Sequence, residues 1–108
     1  MLRIYEDALW VVKALVPVVA GLERRDPDLA NQLKRARASI ALNIAEGSHA
    51  RGKRRAQHYS YAMGSANESM SVLHTAVASD YLAEAPGEVL DRLDKIIGTL
   101  HNVIGGHS

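Results

Sequence analysis

Residues 39–47 read Ser-Ile-Ala-Leu-Asn-Ile-Ala-Glu-Gly, and a basic turn, Arg-Gly-Lys-Arg-Arg, follows at residues 51–55. The apolar members of the first stretch recur at the three- and four-residue steps of an amphipathic helix. Glycine often follows the last turn of a helix, so Gly47 predicts a helix C-terminus. The basic residues then predict a short connection and the start of another helix. This helix–turn–helix unit therefore carries both the fold signature and the candidate functional residues.

Four amphipathic helices are predicted. The first spans about residues 5–24 and is kinked at Pro17, because proline lacks the N–H that a helix interior uses. The second begins at Pro27, is capped by Asp26 and ends near residue 46. The third begins near residue 53 and ends between residues 79 and 82. The fourth spans about residues 87–104, and the tail 105–108 is expected to fray.

Short connections between four such helices predict an all-α fold, an up-down-up-down antiparallel four-helix bundle formed by a single domain over residues 1–108. The third helix carries the most regular heptad pattern, and its small residues permit close helix approach. The core stripe predicted for that helix consists of Ala56, Tyr59, Met63, Ala66, Met70, Leu73 and Val77.

Composition excludes several classes of protein. The chain has no cysteine, which excludes disulfides and thiolate metal sites, and no phenylalanine, so the core must be mainly aliphatic. The N-terminus lacks a signal-peptide layout, and the longest apolar stretch, residues 8–22, is interrupted by Lys13, Pro17 and Gly21. We expect a soluble cytoplasmic protein without a membrane partner.

The net charge of +1 conceals an uneven distribution. Residues 24–55 hold nine basic and three acidic residues, whereas residues 56–108 hold two basic and six acidic residues. Opposed blocks of charge can attract an anionic ligand or pair copies of the chain.

Seven basic residues are therefore candidate phosphate contacts: Lys34, Arg35, Arg37, Arg51, Lys53, Arg54 and Arg55. His58, Tyr59 and Tyr61 follow closely enough to stack on bases or donate hydrogen bonds. The alternative is a solvated helix face, or ion pairs with the acidic block of a neighbouring subunit around Asp80, Glu84, Glu88, Asp91 and Asp94.

Asn43 and Glu46 are polar residues on or beside an apolar stripe. They form either a recognition site or, as we favour, a structural polar network that fixes helix register and oligomeric state. Glu68 would complete this network, together with Arg37 or Arg51.

No reaction is indicated. Glu46 and His49 have the Glu-x-x-His spacing of di-iron bundles, but those sites need a second such motif and two further carboxylates. The chain shows no glycine-rich phosphate loop, nucleophile motif or convincing carboxylate pair. We expect no metal, no cofactor and no enzymatic activity.

The pattern Ser-Ile-x-x-Asn-Ile-Ala-Glu-Gly resembles the 23S rRNA intervening-sequence proteins, a family related to the accessory variability determinant (Avd) proteins of diversity-generating retroelements. Residues 32–36 (QLKRA), 51–53 (RGK), 62–65 (AMGS) and Glu68 extend the match. The resemblance implies four-helix bundles assembled into a homo-oligomeric, pentameric ring, with RNA or DNA binding as the leading activity. It also implies a possible protein partner such as a reverse transcriptase, and no catalytic residues.

The chain departs from this family at two places. Residues 57–61 (QHYSY) replace a region that commonly holds phenylalanine, and residues 66–68 (ANE) replace a common acidic pair. Two functions follow as expectations. The first is a nucleic-acid-binding accessory protein, and the alternative is a structural or interaction module whose basic and acidic faces mediate self-assembly or partner docking.

Overall fold

The structure is a computed structural model that describes residues 2–105. Its helices are α1 (Leu2–Ala14), α2 (Val16–Glu23), α3 (Pro27–His49), α4 (Gly52–Ala78) and α5 (Gly87–Gly105). Within these residues there is no strand. α1 and α2 form one rod of a four-helix bundle measuring 42 × 20 × 20 Å, which confirms the predicted fold class. Residues 106–108, most of the tail expected to fray, lie outside the described residues.

The helices follow one another around the bundle. α1 and α2 pack against α3, α3 against α4, α4 against α5, and α5 returns to α1. At one end the Arg25 side chain donates a hydrogen bond to the backbone carbonyl of Asp80 over 3.3 Å, joining the two loops there. The α3–α4 turn at residues 50–51 therefore lies at the opposite end of the bundle.

The predicted kink at Pro17 separates α1 from α2. Leu15 lies between the two helices, and Pro17 occupies the first turn of α2. The Leu15 N–H still donates to the Val11 carbonyl over 3.0 Å, and the Val19 N–H donates to the Leu15 carbonyl over 2.8 Å. The rod is interrupted at Leu15 without ending, because helical hydrogen bonds continue on both sides of the break.

The buried stripe of α4 differs from the predicted one. Tyr59, Ala66 and Leu73 are buried as expected, but the positions between them differ. Met63, Met70 and Val77 are half-buried, and their preceding neighbours in the chain take the central positions: Ala62, Ser69 and Ala76. Small residues on the buried face allow α4 to approach its neighbours closely, while the larger side chains pack at the edges of the core.

Gly47 does not end α3, contrary to the prediction. The helix continues to His49, and Ala50 is its C-cap. Gly47 is buried within the helix, and a Cβ built there would overlap Tyr59 Cε1 and lie 2.5 Å from Cδ1. This glycine therefore serves close packing of α4 against α3 and not helix termination.

Candidate nucleic-acid interface

The α3–α4 turn brings the C-terminus of one long helix beside the N-terminus of the next. Only Ala50 and Arg51 separate α3 from α4, and both have extended backbones. Gly52 begins α4 with a φ of +58°, a left-handed conformation that glycine adopts without steric cost. The turn therefore places the negative end of one helix dipole next to the positive end of another.

Arg55 stabilises this turn from within. Its Nε donates to the carbonyls of Gly47 and Ala50 over 3.1 and 3.0 Å, and its Nη2 donates to the Ser48 carbonyl over 3.4 Å. These carbonyls belong to the C-terminal turn of α3, where a cation is electrostatically favoured. Arg55 is thus a helix cap, although the sequence predicted a phosphate contact.

Three exposed cations remain at the turn, Arg51, Lys53 and Arg54, and we refer to them as the basic tip. Their side chains make no ion pair or hydrogen bond with any other described residue. The first turn of α4 contains no acidic residue, and Arg51 provides no side-chain cap. By contrast, α3 begins with the Asp26 cap and Asp28, and α5 has Glu88 in its first turn. The α4 N-terminus is therefore positive and uncompensated, an arrangement that attracts anions.

The other predicted phosphate contacts lie elsewhere. Arg37 Nη1 donates to the Val12 carbonyl over 2.8 Å, so its guanidinium bridges α3 to the last turn of α1. Lys34 and Arg35 are exposed, but they lie about 20 Å along α3 from the turn. The predicted cluster of seven is thus divided among a basic tip, two structural arginines and a separate pair on α3.

Asn43 is the centre of a polar network between α3 and α4. Its amide nitrogen donates to the carbonyl and hydroxyl oxygens of Ser39, each over 3.0 Å. The Ser65 hydroxyl donates to the Ser39 hydroxyl over 2.8 Å, and His58 Nδ1 lies 3.1 Å from Asn43 Oδ1. The network joins the two helices through four half-buried residues.

Glu46 and Glu68 lie outside this network. Both are exposed, and neither side chain makes a hydrogen bond or ion pair with a described residue. Glu68 instead lines an open groove of about 460 Å³ between α3 and α4, and the other lining residues are Gln32, Arg35, Ala36, Ser39 and Ser65. Asn43 bonds instead to Ser39 and His58, and Ser65 joins the network through Ser39. The sequence pattern did not indicate these residues because each is a single polar residue on a different turn.

The two tyrosines near the turn have opposite environments. Tyr59 is 2% exposed and packs against Gly47, so it is unavailable to a ligand. Tyr61 is 54% exposed, and its hydroxyl accepts a hydrogen bond from Gln57 Nε2 over 2.9 Å. The His58 ring meets the Tyr61 ring edge-on, with centroids 6.4 Å apart. Of the two, only Tyr61 is accessible for stacking.

A second charged cluster, between α1 and α5, was not anticipated. Asp7 is buried, and its Oδ1 accepts a hydrogen bond from Arg92 Nη1 over 3.0 Å. Arg92 also covers the Trp10 ring at 4.3 Å from the centroid, and Lys95 Nζ lies 3.6 Å from Asp7 Oδ2. The sequence did contain one sign of this cluster: Asp7 lies on the apolar face of the first helix. A buried carboxylate requires a cation nearby, so a basic partner could have been predicted.

Neither metal binding nor membrane insertion gains support. Within residues 2–105 no three histidine, aspartate or glutamate side chains gather as a metal site requires. Glu46 and His49 share the uninterrupted end of α3, but both are exposed. None of the helices in this part of the chain combines the length and apolar character needed to cross a bilayer.

Comparison with known proteins identifies relatives of this fold. The family model described as 23S rRNA-intervening sequence protein matches residues 1–102. A crystal structure of a protein of unknown function from the S23 ribosomal protein family of Bacteroides thetaiotaomicron superposes with a TM-score of 0.81. The similarity covers 94% of this chain and 97% of the other at 20% sequence identity, so it establishes the fold alone. No curated protein matches the chain.

Proposed function

The chain belongs to the 23S rRNA-intervening sequence protein family, and on that premise we propose that it is a non-enzymatic nucleic-acid-binding protein. The basic tip is its phosphate-binding surface. RNA and DNA both present the phosphates that such a surface recognises. The cytoplasmic location expected from the sequence remains part of this proposal. So do the homo-oligomeric (pentameric) ring and the possible reverse-transcriptase partner, which the resemblance implies.

The observation that carries the proposal is the uncompensated charge of the basic tip. Cations at a helix N-terminus oppose the helix dipole, so their placement there costs stability instead of adding to it. Within the described residues no acid neutralises them. Phosphate oxygens would satisfy both the side chains and the free N–H groups of the first turn of α4.

The test compares two matched charge reversals. Lys53→Glu/Arg54→Glu alters the basic tip, and Lys13→Glu/Arg24→Glu alters one exposed lysine and one exposed arginine elsewhere. Fluorescence anisotropy of labelled structured RNA and duplex DNA is measured at several salt concentrations. We expect the tip variant to lose binding and the control to retain it, with wild-type affinity falling steeply as salt rises. Equal affinities for the two variants would refute the assignment.

A second candidate function, self-assembly or partner docking, is favoured by Leu42. Its side chain is 66% exposed on the outer face of α3, with Ala38 and Ala45 one turn away on either side. This short apolar strip on the exposed side of α3 is the surface that we assign to such a contact. Light scattering would show a smaller assembly for Leu42→Glu than for a control, Thr75→Glu, on the exposed surface of α4. Equal masses would exclude this face.

A further inference from the structure

Beyond the basic tip, one face of α4 carries groups suited to nucleobases. Arg54, His58 and Tyr61 recur at steps of four and three residues, and Gln57 lies beside them. Residues with this spacing occupy one side of a helix. Because α4 begins at Gly52, the face runs directly from the basic tip. Phosphate-binding and base-binding chemistry are therefore adjacent on a single rigid element.

Tyr61 is positioned without being buried. The Gln57 amide donates a hydrogen bond to its hydroxyl, and the His58 ring stands nearly perpendicular to its ring with centroids 6.4 Å apart, yet more than half of the side chain is exposed. The residue one turn further along, Gly64, has no side chain, and a Cβ there would meet nothing within 4 Å. Side chains in helices lean toward the preceding turn, so a larger residue at this position would lie toward Tyr61. The aromatic ring thus has open space beside it.

His58 is oriented by the polar network. The Asn43 amide nitrogen donates its hydrogen bonds to Ser39, so the Asn43 Oδ1 faces His58. A carbonyl oxygen can only accept a hydrogen bond. The proton shared over that 3.1 Å contact therefore belongs to His58 Nδ1. In the neutral ring this leaves Nε2 as a hydrogen-bond acceptor on the far side from Asn43.

We propose that this face of α4 binds unpaired nucleotides, with one base stacked on Tyr61, a base N–H or ribose hydroxyl donating to His58 Nε2, and a neighbouring phosphate on Arg54. The inference rests on the proposed function and specifies its ligand as single-stranded nucleic acid. Bases in a duplex are stacked on one another and do not offer a face to a protein ring, whereas unpaired bases do.

The experiment uses unstructured RNA and DNA oligonucleotides and a duplex of equal length. Affinities are measured for wild type, Tyr61→Ala, Tyr61→Phe and the control Leu9→Ala, which also removes an exposed bulky side chain. Tyr61→Ala should weaken single-strand binding about tenfold, and Tyr61→Phe should retain it because the ring remains. Duplex binding should be unaffected by all three substitutions. Stronger binding of the RNA than of the DNA oligonucleotide would identify a ribose contact.

A 2-aminopurine base in the oligonucleotide reports stacking directly. Its fluorescence should be quenched by wild type and Tyr61→Phe but not by Tyr61→Ala. If Tyr61→Ala binds and quenches like wild type while Lys53→Glu/Arg54→Glu loses affinity, the stacking face is refuted and the basic tip stands. If no nucleic acid binds at low salt, both proposals fail.

Discussion

The Tyr59 ring occupies the space that a side chain at Gly47 would need. This contact lies where α3 and α4 converge toward their shared turn, three residues before α3 gives way to Ala50. Tyr59 is buried, so its ring has no solvent-filled space into which to move. The contact sets the distance between the two helices and thereby the position of the basic tip relative to the end of α3.

Replacing Gly47 by alanine should destabilise the protein by about 1–3 kcal/mol, because overpacking outweighs the gain in helix propensity. Urea unfolding followed by circular dichroism measures the loss. In the Tyr59→Leu background the same substitution should cost less, since the overlapping ring atoms are gone. A Gly47→Ala protein as stable as wild type would show that α4 shifts freely.

Gly64 offers the opposite case on the neighbouring helix. It lies in the interior of α4, and a Cβ there would meet nothing within 4 Å. Gly64→Ala should therefore stabilise the protein by about 0.5–1 kcal/mol, the difference in helix propensity. Thermal unfolding measures the gain. A loss of stability would show that another subunit fills the space beside Gly64.

The sequence predicted the helices well because their evidence is local. Apolar spacing, the Asp26-Pro27 start and the Pro17 kink depend on residues within one or two turns. The role of Gly47 depends on Tyr59, which lies on another helix, so a local rule predicted a helix end there. The buried stripe of α4 was predicted one residue out of place for a similar reason. The sequence pattern favoured the larger apolar side chains, such as the methionines, as core residues. The structure buries small residues instead, because α4 packs closely against two neighbouring helices.

The candidate site was less predictable because charge does not reveal its partner. Arg37 and Arg55 resemble the exposed arginines in sequence, yet both donate to backbone carbonyls. Those acceptors are the Val12 carbonyl, just before the helix break, and the last carbonyls of α3. Which arginine reaches them depends on how the helices pack, and local sequence does not show that. Glu46 was expected to pair with Asn43, but it lies on the exposed side of α3.

Arg37 should contribute to stability and not to nucleic-acid affinity. Arg37→Met keeps an unbranched apolar stem but leaves the part-buried Val12 carbonyl without this donor. We expect a loss of about 1–3 kcal/mol in the free energy of unfolding. The exposed neighbour Arg35, changed to methionine, should alter stability by less than about 0.5 kcal/mol. Similar losses for the two variants would contradict the structural role.

The residues of the Asp7 cluster should contribute unequally to the free energy of unfolding. Asp7→Ala leaves Arg92 without its short ion pair, and because Arg92 is 33% exposed the expected loss is moderate, about 1–3 kcal/mol. Lys95→Ala and Glu88→Ala remove partners that are 51% and 67% exposed, so each should cost less than about 1 kcal/mol. Urea unfolding of the three variants gives the order. A larger loss for Lys95→Ala than for Asp7→Ala would contradict the conclusion that the Asp7–Arg92 pair contributes most to stability.

Arg54 and Arg55 are adjacent in sequence and should behave in opposite ways. Arg54 opposes the α4 dipole and has no partner among the described residues, so Arg54→Ala should leave stability unchanged or raise it by a few tenths of a kcal/mol. If it contacts one phosphate, the slope of log affinity against log salt should fall by about 0.7–0.9. Arg55→Ala should instead cost about 1–2 kcal/mol, because three carbonyls at the end of α3 lose their donor. Its salt slope should match wild type. Identical salt slopes for Arg54→Ala and wild type would show that Arg54 does not contact a phosphate. A lowered slope for Arg55→Ala would show that Arg55 leaves the α3 carbonyls and contacts a phosphate on binding.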